Sequence, residues 1–198
     1  MATVEKIPGL REKQKAATRN EITRTGVGLF VTQGFANTTI EQIVAPLGIA
    51  KRTFFRYFET KDDVVFAWYE EKTAELVIEL LNRPEHEKPF RAICETLASL
   101  LQRYDANPDW TWKLVCLAKE TPSLLGRGYE KQIVRQKALA DALIERDRTD
   151  EITPLEARIL VGTAMIAFTA AIDEWYLGGG KTNLRPIMES AFALAGNQ

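Results

Sequence analysis

Cysteine and histidine are scarce in this chain. Two cysteines, Cys94 and Cys116, and a single histidine, His86, occur among 198 residues. No CxxC pair or Cys/His cluster is present, which argues against a zinc site. Each cysteine sits in an apolar stretch, the setting of a buried reduced thiol in a cytoplasmic protein, although spacing alone leaves a bond between them open. His86 lies in a polar turn between prolines. No nucleophile elbow, phosphate loop or carboxylate pair stands out, so no catalytic residue, metal or cofactor is assigned and an enzyme is not expected. The N-terminal charges are not followed by an apolar segment of signal-peptide type. The longest charge-free apolar run, residues 159–172, is too short to cross a bilayer. Strand-like alternation is missing throughout.

Helical periodicity recurs instead, and the predicted fold is all-α with about nine helices. The first runs from about Arg11 to Gln33 and stops at Gly34. "TTIE" (38–41) reads as a capping box, with Thr38 capping Glu41, and opens a short second helix. Gly48 breaks that helix, and a third spans about 50–57. Pro46 is expected to shorten the second helix, and Ala50 offers the third no side-chain cap. "TKDD", "NPDW" and "TPLEA" place Thr60, Asn107 and Thr153 before later helices, the last two with proline at the first helical position. A seventh helix is expected from Gly128 to Arg146, an eighth up to the glycines 178–180, and a ninth after Leu184.

The formal charge of −1 conceals a division. Residues 1–60 carry nine basic and five acidic side chains, and the remainder is acidic. Within the basic head, the second helix, a tight glycine turn and the third helix have helix-turn-helix dimensions. On the third helix, helical spacing puts Ala50, Thr53, Phe54 and Tyr57 near one side, with Phe58 beneath Phe54. Lys51, Arg52, Phe55 and Arg56 face away. Arginine can bridge guanine O6 and N7 or pair with phosphate, lysine attracts phosphate, and Phe55 can press on thymine methyls. The competing reading is a helical interaction or scaffold module whose basic head meets some other acidic partner.

"LFVTQGFANTTIEQIVAPLGIAKRTFFRYFETKDDV" (29–64) carries a helix ending in Gly-aromatic, paired threonines, a glycine turn and an aromatic-rich third helix, in order and without a gap. Over residues 22–66 the chain resembles the DNA-binding domain of TetR-family transcriptional regulators. The resemblance implies contacts to double-stranded DNA from Thr39, Lys51, Arg52, Thr53, Phe55, Arg56 and Lys61. Thr39 and Lys61 would hold phosphate, and Arg52, Thr53 and Arg56 would meet base edges. Phe55 and Arg56 depart from the usual Tyr and His of the family, so a distinct sequence preference is expected.

The division expected is an N-terminal arm with a three-helix DNA-binding domain at 1–59 and a helical bundle at 60–198. The resemblance implies that the bundle dimerises and holds a small-molecule effector. The eighth helix supports a homodimer independently, being apolar nearly all round between Arg158 and Asp173. Trp68, Tyr104, Trp110, Trp112, Met165, Phe168 and Trp175 are the candidate ligand contacts, and few charges among them point to an apolar or amphipathic effector. The reading is a repressor released by that effector, without a membrane role.

Overall fold

A computed structural model describes residues 9–105, 107–147 and 151–196, with side chains from all of these except 101–105. Among the described residues there are nine α-helices and no strand: α1 (Leu10–Gln33), α2 (Ile40–Val44), α3 (Lys51–Phe55), α4 (Lys61–Leu81), α5 (Pro89–Asp105), α6 (Pro108–Glu120), α7 (Pro122–Arg146), α8 (Pro154–Leu177) and α9 (Leu184–Gly196). The chain divides into two units, residues 1–68 and 69–198, and the division falls inside α4.

Local chemistry sets most of the helix starts. Asn107 accepts from the N–H of Trp110 at 3.1 Å. The Thr153 hydroxyl accepts from Glu156 N–H, while the Glu156 carboxylate accepts from Thr153 N–H at 2.8 Å. That backbone bond, then the Thr153 side chain, holds the Glu156 carboxyl below its ordinary value. Asp63 closes the same kind of box on Thr60. Pro46 acts as expected: α2 ends at Val44 and tightens into a 3₁₀ turn over Ala45–Leu47.

Two helix starts differ from the sequence reading. The cap of α2 is Thr39, not Thr38: its hydroxyl accepts from Gln42 N–H, and Gln42 returns the bond to Thr39 N–H at 2.8 Å. Thr38 is buried and donates to the Gly34 carbonyl at 2.8 Å, which removes it from the cap. Helix α7 starts at Pro122 rather than near Gly128, and passes straight through Gly126 and Gly128. Proline at its first position and buried Leu124 outweigh those two helix-weakening glycines.

The first unit is cored by Ile22, Val27, Phe30, Ile43, Phe54, Phe58 and Val64. In the second unit Leu76, Leu80, Ile93, Leu97, Leu139, Leu143, Val161 and Met165 belong to one buried cluster. Truncating a fully buried leucine there to alanine costs about 2–5 kcal/mol. Along α8, Leu155, Ile159, Ile166 and Leu177 stay exposed, an apolar stripe at helical spacing. By length and composition α8 could cross a membrane, since the helix continues past the charge-free run; one third of its most apolar window is nonetheless buried in the protein.

Candidate nucleic-acid interface

The turn between α2 and α3 depends on a left-handed residue. Gly48 has φ +64° and donates its N–H to the Ala45 carbonyl at 3.1 Å. A side chain at that φ would be strained, so glycine is the residue that permits so tight a reversal. The frame behind the turn is fixed by Lys61. Its ammonium donates to the carbonyls of Phe35 and Thr38 at 2.7 and 2.8 Å and lies 4.6 Å from the Phe35 ring centroid. Lys61 thereby ties the start of α4 to the α1–α2 loop, supplying donors to two loop carbonyls outside the helices. Gly26 lets α1 approach closely: a Cβ there would stand 2.7 Å from Val64 Cγ1.

Helix α3 divides into a root and a crown. Phe54 is completely buried and Phe58 nearly so, with ring centroids 5.5 Å apart. Phe55, its ring edge-on to Phe54, is 49% exposed. Thr53 and Tyr57 are half-buried, and Lys51, Arg52 and Arg56 are exposed. Ala50, expected on the buried side, is exposed because it is the extended N-cap residue and not yet helical. As expected, it makes no side-chain cap. The regular helix stops at Phe55, while Tyr57 and Phe58 still donate their N–H groups to the Phe54 carbonyl. Aromatic side chains thus anchor a short helix whose basic side chains face water.

The basic groups are individually oriented. The Lys51 ammonium meets Glu41 Oε1 across the turn at 2.5 Å. The Arg56 guanidinium lies over the Tyr57 ring at 5.1 Å and donates to its hydroxyl at 3.2 Å. Arg19 of α1 stacks on Phe58 at 5.4 Å. Hydrogen bonding from Lys51, ahead of Glu41's own N–H, holds the Glu41 carboxyl below its ordinary value, with a smaller contribution from Thr39. Glu41 therefore connects two of the sequence-predicted contacts, and sequence reasoning passed over it. Its signal was present: it is the one acidic residue between Phe35 and Phe58.

The candidate ligand contacts fare differently. Met165 is buried in the main core of the second unit, and half-buried Phe168 packs against both that core and a smaller cluster around Trp175. Trp112 meets Trp175 edge-on at 5.4 Å and stacks on Tyr176 at 5.6 Å. Trp175 donates its indole N–H to the Thr182 carbonyl, and Tyr176 its hydroxyl to Glu120 at 2.9 Å. Asp173 pairs with Lys119. Trp110 is half-buried, Trp68 belongs to the first unit, and the side chain of Tyr104 lies outside the described residues. The other six line neither of two open clefts in the second unit. One cleft, of about 350 Å³, runs between α5 and α9 past Phe90, Cys94, Met188 and Phe192, with Arg91 and Arg185 among its polar lining. The other involves Glu75, Ile78 and Arg83. No grouping of three or more metal-ligating side chains occurs among the described residues.

Residues 22–68 match the bacterial regulatory proteins of the tetR family. The HTH-type transcriptional regulator TcmR of Streptomyces glaucescens is 27% identical over 176 residues, covering 86% of this chain and 78% of that protein. A TetR transcriptional regulator from Rhodococcus sp. RHA1 shares the fold with a TM-score of 0.66 at 12% identity, over 92% of this chain and 96% of its own. FadR from Bacillus subtilis, solved in complex with stearoyl-CoA, gives a TM-score of 0.61 at 14% identity, over 89% and 96%.

Proposed function

Because the chain belongs to the tetR family of bacterial regulatory proteins, DNA-binding transcription regulators and not enzymes, we propose that it is a cytoplasmic repressor that binds a palindromic operator as a homodimer and is released by a small apolar or amphipathic ligand. The observation that carries this reading is the two-sided α3. Phe54 and Phe58 are buried, while Arg52, Phe55 and Arg56 are presented outward on a rigid root. Arg52 and Arg56 would take base edges, Phe55 thymine methyls or sugars, and Thr53 either a base or a phosphate. Thr39 and Lys51 would hold phosphates. Lys61 already spends two donors on backbone carbonyls, so its share is positioning as much as phosphate contact.

The exposed stripe of Leu155, Ile159, Ile166 and Leu177 supports pairing of two copies through α8. Two heads on paired copies would read two half-sites. The stearoyl-CoA complex of FadR, a protein of the same fold, supports an effector with an apolar part. Effector binding would shift the population towards dimers that do not fit the operator. We place the DNA-binding function in residues 1–59 and the effector and dimer functions in 60–198.

Selection of bound DNA from a random duplex pool tests the reading. A palindromic consensus is expected. Arg52→Ala and Arg56→Ala should each lose about 1–3 kcal/mol of affinity for it, the worth of a bidentate base contact. Variants that keep the parent's affinity for the selected duplex would overturn the assignment of α3.

A further inference from the structure

Lys51 is expected to hold phosphate, yet its ammonium is already bonded to a carboxylate ten residues earlier on the neighbouring helix. The two side chains are 51% and 60% exposed. An ion pair so open to water adds little to fold stability and is easily exchanged. A carboxylate oxygen and a phosphate oxygen accept from an ammonium in the same way. No other acidic residue lies between Phe35 and Phe58.

We infer that Glu41 acts as an internal stand-in for a DNA phosphate: it holds Lys51 until a backbone phosphate displaces it, and so restrains binding to DNA of arbitrary sequence. This rests on the DNA-binding reading above. The physical reason lies in counterion release. Sequence-independent affinity comes almost wholly from cations on the protein displacing counterions from phosphates. A lysine already neutralised by its own carboxylate gives up that partner on binding, and this offsets the gain. Base readout by Arg52 and Arg56 has no such competitor at Glu41. The pair therefore lowers the sequence-independent part of the affinity and leaves base readout untouched.

A plain repulsion between Glu41 and phosphate would also weaken binding, and a double-mutant cycle separates the two effects. Parent, Glu41→Gln, Lys51→Gln and the double variant would be titrated by fluorescence anisotropy against a random-sequence duplex and the selected operator, between about 50 and 200 mM salt. Glu41→Gln alone is expected to tighten random-duplex binding and steepen the dependence of log affinity on log salt by about 0.9, one additional phosphate contact. In the Lys51→Gln background the same change should leave affinity and slope nearly unaltered. Equal gains in both backgrounds, or no gain in either, would overturn the inference. A parent that binds neither duplex would instead sink the DNA-binding reading itself.

Discussion

Gly26 and Gly28 lie two positions apart on α1 and respond to opposite pressures. A Cβ on Gly26 would meet stiff, buried Val64 at 2.7 Å and Ile43 at 3.5 Å. A Cβ on Gly28 would meet nothing within 4 Å. Gly28→Ala should therefore raise stability by about 0.5–1 kcal/mol through helix propensity. Gly26→Ala should lower it by about 1–3 kcal/mol through overpacking. Thermal unfolding followed by circular dichroism checks both, and shifts of the same sign would contradict the packing argument. From sequence the two glycines are equivalent, each a weak point in a helix; only the approach of α2 and α4 distinguishes them. The threonines 38 and 39 pose the same difficulty. Both precede an apolar helix with an acid or amide three residues on, and the Gly34 carbonyl decides that Thr38 turns inward.

Among elements, helix starts were legible where a cap, a proline and an acid coincide within one turn, as at Asn107–Asp109 and Thr153–Glu156. These are local interactions, complete without any partner element. The start of α7 was hidden because Gly126 and Gly128 argue against helix locally, and burial of Leu124 overrides them. Its exposed side was equally hidden: Tyr129 and Ile133, at 71% and 67% exposure, face water despite helical spacing with buried Ala140 and half-buried Ile144. The α4–α5 connection is held by charge. Arg83 donates twice to Glu87, and Arg146 at the end of α7 donates to the Pro84 and Glu87 carbonyls. The Arg83 bond, opposed by burial, holds the Glu87 carboxyl below its ordinary value. A depressed folded-state value gives stability that is present above the ordinary carboxylate range and lost as pH falls through the folded value. Urea unfolding from neutral to acid pH should show a shallower acid-side loss for Glu87→Gln than for the parent. Identical slopes would mean that the pair contributes nothing to acid sensitivity.

For the whole molecule, the proposed pairing of two copies would rest on the exposed apolar stripe of α8. The acidic second unit leaves Ile166 69% exposed at the centre of the α8 stripe, a position that a lone molecule gains nothing by filling with isoleucine. Ile166→Arg should yield a monomer by analytical ultracentrifugation, with an unchanged helical spectrum and markedly weaker operator binding. A variant that remains dimeric would move the interface elsewhere.

What the amino-acid sequence determined by itself was whatever rests on neighbours within one or two helical turns: the all-α class, most helix ends, the helix-turn-helix with its aromatic root, and the basic character of the head. Hydrophobic period, caps and glycine turns act over that range. Tertiary structure decided which polar groups were already engaged. Lys61 turned inward to two carbonyls, Lys51 found Glu41 across the turn, and Asp173 found Lys119 on another helix. It also packed Met165 and Trp175 into buried cores. Side chains that meet from distant points in the chain depend on how helices pack, and sequence spacing carries little record of that packing.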